Sequence, residues 1–167
     1  MTTHRFGRIL CLITCAVALL APAHAHAGPP FSAGGTWDDC NVVTSVENVG
    51  PNLIITIIIT ETFRGTFDGT YVGTERDVIF ADGSATFTGS GLFTGNVTSA
   101  SGTIHMSYVG RAEPSSQATA NWVVNQGTLG LTTLHGQGTF EGALAVPTPE
   151  CEIPFAGTYT GSLQFSH

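Results

Sequence analysis

From Leu53 onward, hydrophobic residues recur at every second position, which is the period of a β-strand and not of a helix. Leu53, Ile55, Ile57, Ile59, Glu61 and Phe63 fall on one face, and Ile54, Thr56, Ile58, Thr60 and Thr62 on the other. Residues 53–63 are therefore predicted to form a strand. Its second face is half apolar, so it offers Ile54 and Ile58 to a terminal segment or to a second copy of the chain. The same alternation predicts strands over 70–80, 85–94, 103–109, 118–124 and 155–165, with a loop and one short strand in the Gly-rich stretch 129–140. Between them lie turn signals. Ala81-Asp82-Gly83-Ser84 is the strongest, because Asp-Gly suits the positive φ of a tight hairpin. Gly65 with Phe67-Asp68-Gly69, Asn96-Val97-Thr98-Ser99, Glu113-Pro114-Ser115-Ser116 and Asn125-Gln126-Gly127 supply others, and Pro147, Pro149 and Pro154 interrupt the chain before the last strand.

After the first 27 residues no patch of strong helix formers at helical spacing appears. Short turns between consecutive strands mean that neighbours pair in order. The predicted fold is all-β: a single up-and-down antiparallel β-barrel of about eight strands, closed so that no edge is left open. Ala85, Phe87, Gly89, Gly91 and Phe93 alternate small and large side chains on one face, as the taper of a small barrel interior requires.

The N-terminus changes the picture. His4, Arg5 and Arg8 precede an apolar run from Ile9 to Leu20, too short to span a bilayer. Pro22 and a small-x-small site, Ala25-His26-Ala27, follow. Residues 1–27 therefore read as a signal peptide and 28–167 as one secreted domain, extracellular or periplasmic. A membrane anchor or a lipidated Cys15 are the competing readings, disfavoured by Pro22, His24 and His26 and by the large Thr14. Without the leader the chain keeps two cysteines, Cys40 and Cys151, expected to form one disulfide in an oxidising compartment. In a closed barrel that bridge would tie the seam where first and last strands meet.

Charge excludes some partners. There is no Lys, and loss of Arg5 and Arg8 leaves three arginines against twelve acidic residues, a formal charge of −9. Nucleic acid is not expected as a partner, nor an anionic membrane surface once the leader is removed.

The order of several segments is familiar: Thr62-Phe63-Arg64-Gly65-Thr66-Phe67-Asp68-Gly69, the Asp82-Gly83-Ser84-Ala85-Thr86-Phe87 hairpin, Phe93-Thr94-Gly95, Gly102-Thr103-Ile104, Ala120-Asn121-Trp122-Val123-Val124 and Leu134-His135-Gly136-Gln137-Gly138-Thr139-Phe140. It resembles the bacterial family known as domain of unknown function 3224, over residues 34–140 and the last strand. The resemblance implies a barrel like that of allene oxide cyclase, eight antiparallel strands around an apolar cavity. It carries turn and packing residues and no catalytic motif. The leader and the Cys40/Cys151 pair depart from the family pattern and speak against a cytosolic metabolic role.

Glu61 and Glu75 are the candidate catalytic residues. With a turn centred on 66–68, Glu61 would lie opposite Gly73 with Glu75 as its diagonal neighbour on an inward face. A carboxyl held among apolar side chains has a raised pKa and serves as acid or base. The competing reading makes them rim residues, solvated or paired with Arg76. Tyr71, Phe87, Tyr108, Trp122 and Tyr159 are candidate ligand-binding residues, with core packing as the alternative. His105 is expected on the outer surface and His135 in a loop; with His167 they lack zinc-site spacing. No nucleophile elbow or phosphate loop occurs, and no metal or cofactor is expected. Binding of a small apolar or amphipathic molecule leads. A cofactor-free cyclase or isomerase, and an oligomerising module, are the alternatives.

Overall fold

The structure is a computed structural model, and it describes residues 28–166. The signal-peptide reading of 1–27 and His167 lie outside the described residues. Eight strands follow in chain order: β1 (Phe31–Val49), β2 (Asn52–Gly65), β3 (Phe67–Ile79), β4 (Ala85–Val97), β5 (Ala100–Ala112), β6 (Gln117–Gly127), β7 (Leu134–Leu144) and β8 (Pro154–Phe165). Each pairs antiparallel with the next, and β1 pairs with β8, so the sheet closes into the predicted up-and-down barrel. A short 3-10 helix, Leu129–Leu131, joins β6 to β7. Among the described residues no helix is long and apolar enough to cross a membrane.

The alternation in the sequence maps onto the barrel wall. Ile57, Ile59, Phe63, Tyr71, Phe93, Ile104, Met106, Tyr108, Trp122 and Tyr159 point inward and are buried. The inward glycines make room for them. Gly138 and Gly161 lie under the Trp122 ring, Gly69 and Gly95 under Phe93, and Gly89 under Tyr108, each so close that a Cβ would overlap the ring. The small-large alternation is thus a packing rule across strands: each large ring covers the bare backbone of its neighbours.

Three sequence expectations need correction. The first strand was missed: β1 runs nineteen residues, and Cys40 lies inside it, paired with Thr60 and Pro154. Its inward positions are Phe31, Ala33, Gly35, Trp37, Asp39 and Asn41, an alternation masked by glycine and polar side chains. His135 belongs to β7 instead of a loop. The β2–β3 turn centres on Thr66, so Glu61 pairs with Tyr71 and Glu75 with Ile57; Glu75 is not the diagonal neighbour of Glu61. The slip is two residues, an even number, and both glutamates keep the inward face.

The disulfide forms between Cys40 and Cys151, with Cα atoms 5.6 Å apart. It ties β1 to the segment that enters β8, at the closure seam. β1 pairs with β8 only as far as Cys40; beyond it, residues 42–49 pair with β2 alone and the β1–β2 hairpin projects past the rim. Ile58 is exposed on the outer face, while Ile54 is half-buried.

Candidate functional site

The barrel interior has two ends. At the end formed by the β2–β3 and β4–β5 turns and the 3-10 helix, the rings of Phe63, Phe67, Phe93, Trp122 and Tyr159 pack together and Leu131 seals the base. The opposite end holds a cavity of about 290 Å³. Phe140 is its floor: this ring contacts Trp37 and Tyr108 on the cavity side and Phe63 and Trp122 on the filled side. Ile55, Ile57, Ile59, Phe87 and Phe155 form most of the wall, and the β3–β4 hairpin and the β5–β6 loop border the mouth.

Among these apolar walls stand four strand-borne carboxyls and an amide, Asp39 and Asn41 from β1, Glu61 from β2, Glu75 and Asp77 from β3, and Glu113 joins them from the β5–β6 loop. Strand register brings them together. Asp39 pairs directly with Glu61 across β1 and β2, and Glu75 and Asp77 occupy successive inward positions of β3. Asp39 is held by the Phe155 N–H, which donates to Oδ1 at 2.7 Å, and by Asn41 Nδ2 at 3.3 Å from each oxygen. Glu61 is 6% exposed and accepts no hydrogen bond among the described residues. The Asn41 Oδ1, the Asp77 Oδ1 and the Tyr71 hydroxyl are also buried without a partner.

Burial sets the electrostatics. It pushes Asp39 up to about 7 against the opposing pull of its two hydrogen bonds. Burial, reinforced by the charge of Asp39, holds Glu61 well above the usual carboxylate range. Glu75 rises to about 9 through burial and the neighbouring Asp77 charge, and burial also raises Asp77. The phenols of Tyr71 and Tyr108 are raised by burial and by the same glutamates. Among the described residues no arginine lines the cavity; Arg64, Arg76 and Arg111 are exposed. Arg64 pairs with Asp38 on the outer wall. A proton, or a cation, is what this interior can accept.

Of the candidates read from the sequence, Glu61, Glu75, Phe87 and Tyr108 meet in the cavity lining. Tyr71 lies one step deeper, its ring over Gly73 and Gly91. Trp122 and Tyr159 sit in the filled end, where the Tyr159 hydroxyl accepts the Phe67 N–H at 2.8 Å. His105 is on the outer face, its Nδ1 3.1 Å from Asn125 Nδ2. Sequence reasoning missed Asp39, Asn41, Asp77, Trp37 and Phe140. Asp77 had a readable signal, two residues beyond Glu75 on the same face; Asp39 and Asn41 had none while β1 went unrecognised.

A family model described as "Protein of unknown function (DUF3224)" matches residues 36–144. A crystal structure of a protein with unknown function from the DUF3224 family of Shewanella oneidensis MR-1 is similar in fold, with a TM-score of 0.62 and 19% identity, covering 82% of this chain and 98% of that one. No curated protein matches the chain.

Proposed function

The chain belongs to the DUF3224 family, whose function is unknown, and we propose that it is an exported barrel that binds a small apolar or amphipathic molecule in its open-end cavity. The observation that carries this reading is the pocket itself. It is concave and mostly apolar, with a few convergent polar groups, and its volume of about 290 Å³ matches a small ligand. A barrel of this size can fill itself with side chains, and the other end does so. The Cys40–Cys151 bridge and the leader read in residues 1–27 support export to an oxidising compartment. Titration with the neutral dye N-phenyl-1-naphthylamine tests the binding reading. Saturable fluorescence enhancement is expected, and Ala118→Trp, which places a large ring in the cavity lining, should abolish it. Absence of saturable binding in the wild type overturns the reading.

One observation favours a second reading, a cofactor-free cyclase or isomerase of the allene oxide cyclase kind. Glu61 and Glu75 both reach the cavity with pKa values raised by burial, Glu75 to about 9, the direction a general acid needs. Under it, Glu61→Gln and Glu75→Gln would each stop turnover while the protein stays folded; retained turnover in both removes it.

A further inference from the structure

The cavity's charged lining is acidic throughout: Asp39, Glu61, Glu75, Asp77 and Glu113 stand there with no basic side chain among them. Glu61 lies 6% exposed and accepts no hydrogen bond from the described residues, and Asn41, 7% exposed, turns its amide nitrogen to the Asp39 carboxyl and leaves Oδ1 buried without a partner. Both side chains line the cavity. Among the described residues no cationic side chain reaches either oxygen set: the chain has no Lys, and Arg64, Arg76 and Arg111 are exposed and do not line the cavity. An unpaired buried carboxylate is expensive, and so is a buried acceptor without a donor. A ligand group rich in donors and positive in charge complements these oxygens. An ammonium offers three donors and no acceptor; an alcohol offers one donor and adds an acceptor; a carboxylate offers none.

We propose that the molecule bound in this cavity carries an organic cation, a protonated amine or its equivalent, seated between Glu61, Asp39 and Asn41 with its apolar body against Ile57, Phe87 and Phe140. The proposal rests on the binding reading above and names the ligand's class. A bare metal ion fits less well. The carboxyls are spread over three strands around the void, and among the described residues no three His, Cys, Asp or Glu side chains converge on one coordination point.

The proton balance gives a signature. The groups facing the proposed head are Asp39 from β1, Glu61 from β2, Tyr71, Glu75 and Asp77 from β3, Tyr108 from β5 and Glu113 from the β5–β6 loop. With no cation bound, burial holds these carboxyls above their ordinary range, Asp39 at about 7, Glu75 at about 9 and Glu61 well above it. A cation stabilises their charged form, so its binding must release protons, and its affinity must rise as pH rises.

The test uses the disulfide-bonded protein and competition of N-phenyl-1-naphthylamine by octylamine, octanol and octanoate, which share one apolar body. At pH 7.5 octylamine should bind at least tenfold more tightly than octanol, with octanoate weakest. From pH 6 to pH 9 the octylamine Kd should fall while that of octanol stays level or rises. Calorimetry in buffers of different ionisation enthalpy should register proton release with the amine alone. Glu61→Gln should weaken octylamine at least tenfold relative to octanol and so erase most of the amine preference. Octanol binding as tightly as octylamine, or an amine preference that survives in Glu61→Gln combined with Asp39→Asn, overturns the cationic head while the binding reading stands. If the dye itself is not taken up, the binding reading fails and the cationic head with it. Should Glu61→Gln misfold, the opposite pH trends of amine and alcohol on the wild type decide alone.

Discussion

The two ends of one barrel interior are built from the same inward alternation and do opposite things. At the filled end the inward positions are Phe63, Phe67, Phe93, Trp122 and Tyr159, and glycines on neighbouring strands let the rings close the space. At the open end the same parity places Asp39, Glu61, Glu75 and Asp77, and the space stays open at about 290 Å³. Rings fill because dispersion and burial reward contact on every side. Carboxyls do not, because closing over them would bury groups with no partner. Polarity at inward positions, with periodicity unchanged, decides which end is core and which is a pocket. The open end is correspondingly clamped by other means: the Cys40–Cys151 bridge and the Asp39–Phe155 hydrogen bond both sit there.

The sharpest way to break this comparison is to truncate one ring at each end. Phe67 is fully buried and touches the rings of Phe63, Phe93, Trp122 and Tyr159. Phe67→Ala should lower the unfolding free energy by about 3–5 kcal/mol. Phe87 already faces the cavity, so Phe87→Ala should cost only about 1–2 kcal/mol. Equal losses in denaturant titrations would mean that the open end is packed as tightly as the filled one.

Next in size is the covalent clamp. The bridge spans 111 positions in sequence, and the loop-closure argument puts its worth at up to about 5 kcal/mol, with strain subtracting. The Cys40→Ala, Cys151→Ala double variant should lose about 2–4 kcal/mol. Hydrogen exchange should quicken first in β1 near Asp39 and at the start of β8, while β4 and β5 near the filled end stay protected. Uniform loss of protection would show that the seam is not a local clamp.

A smaller effect is expected from one polar contact inside the filled end. Tyr159→Phe removes the hydroxyl that accepts the Phe67 N–H and leaves that buried donor without a partner. About 1–3 kcal/mol should be lost. No change would mean that water reaches a region described here as sealed.

The sequence carried one end far better than the other, and the comparison says why. Strands ending in aromatic alternation, such as 85–94 and 155–165, were legible because apolar and small residues mark the inward face. β1 was not, because its inward row passes from Trp37 to Asp39 and Asn41 and so loses the hydrophobic period. The residues that line the pocket erased the pattern by which their strand would be found. Glu61 survived as a candidate because it interrupts an otherwise unbroken apolar row, Leu53 to Phe63. Trp122 and Tyr159 were ambiguous for the complementary reason: a buried ring looks the same in sequence whether it lines a void or fills one.

The mildest perturbation separates the two ends by sign. Removing a buried ring destabilises at any pH. Removing the Glu61 charge should stabilise, and only where that charge exists. Glu61, Asp39 and Glu75 have folded pKa values above their unfolded ones, so the folded state binds protons more tightly. Their contribution to stability is fully present below about pH 4, the ordinary carboxylate range. It is lost as pH rises through the folded values, which reach about 7 for Asp39 and about 9 for Glu75. Wild-type stability should therefore decline across roughly pH 4 to 9. Glu61→Gln removes one of the titrating groups and keeps the shape, so its profile should be flatter. At pH 8 the variant should be more stable than wild type, and at pH 4 the two should coincide. Thermal unfolding followed across that range reads both slopes at once. Parallel profiles would mean that Glu61 is solvated in the folded protein, and the open end would then be an ordinary wet rim instead of a buried acidic pocket.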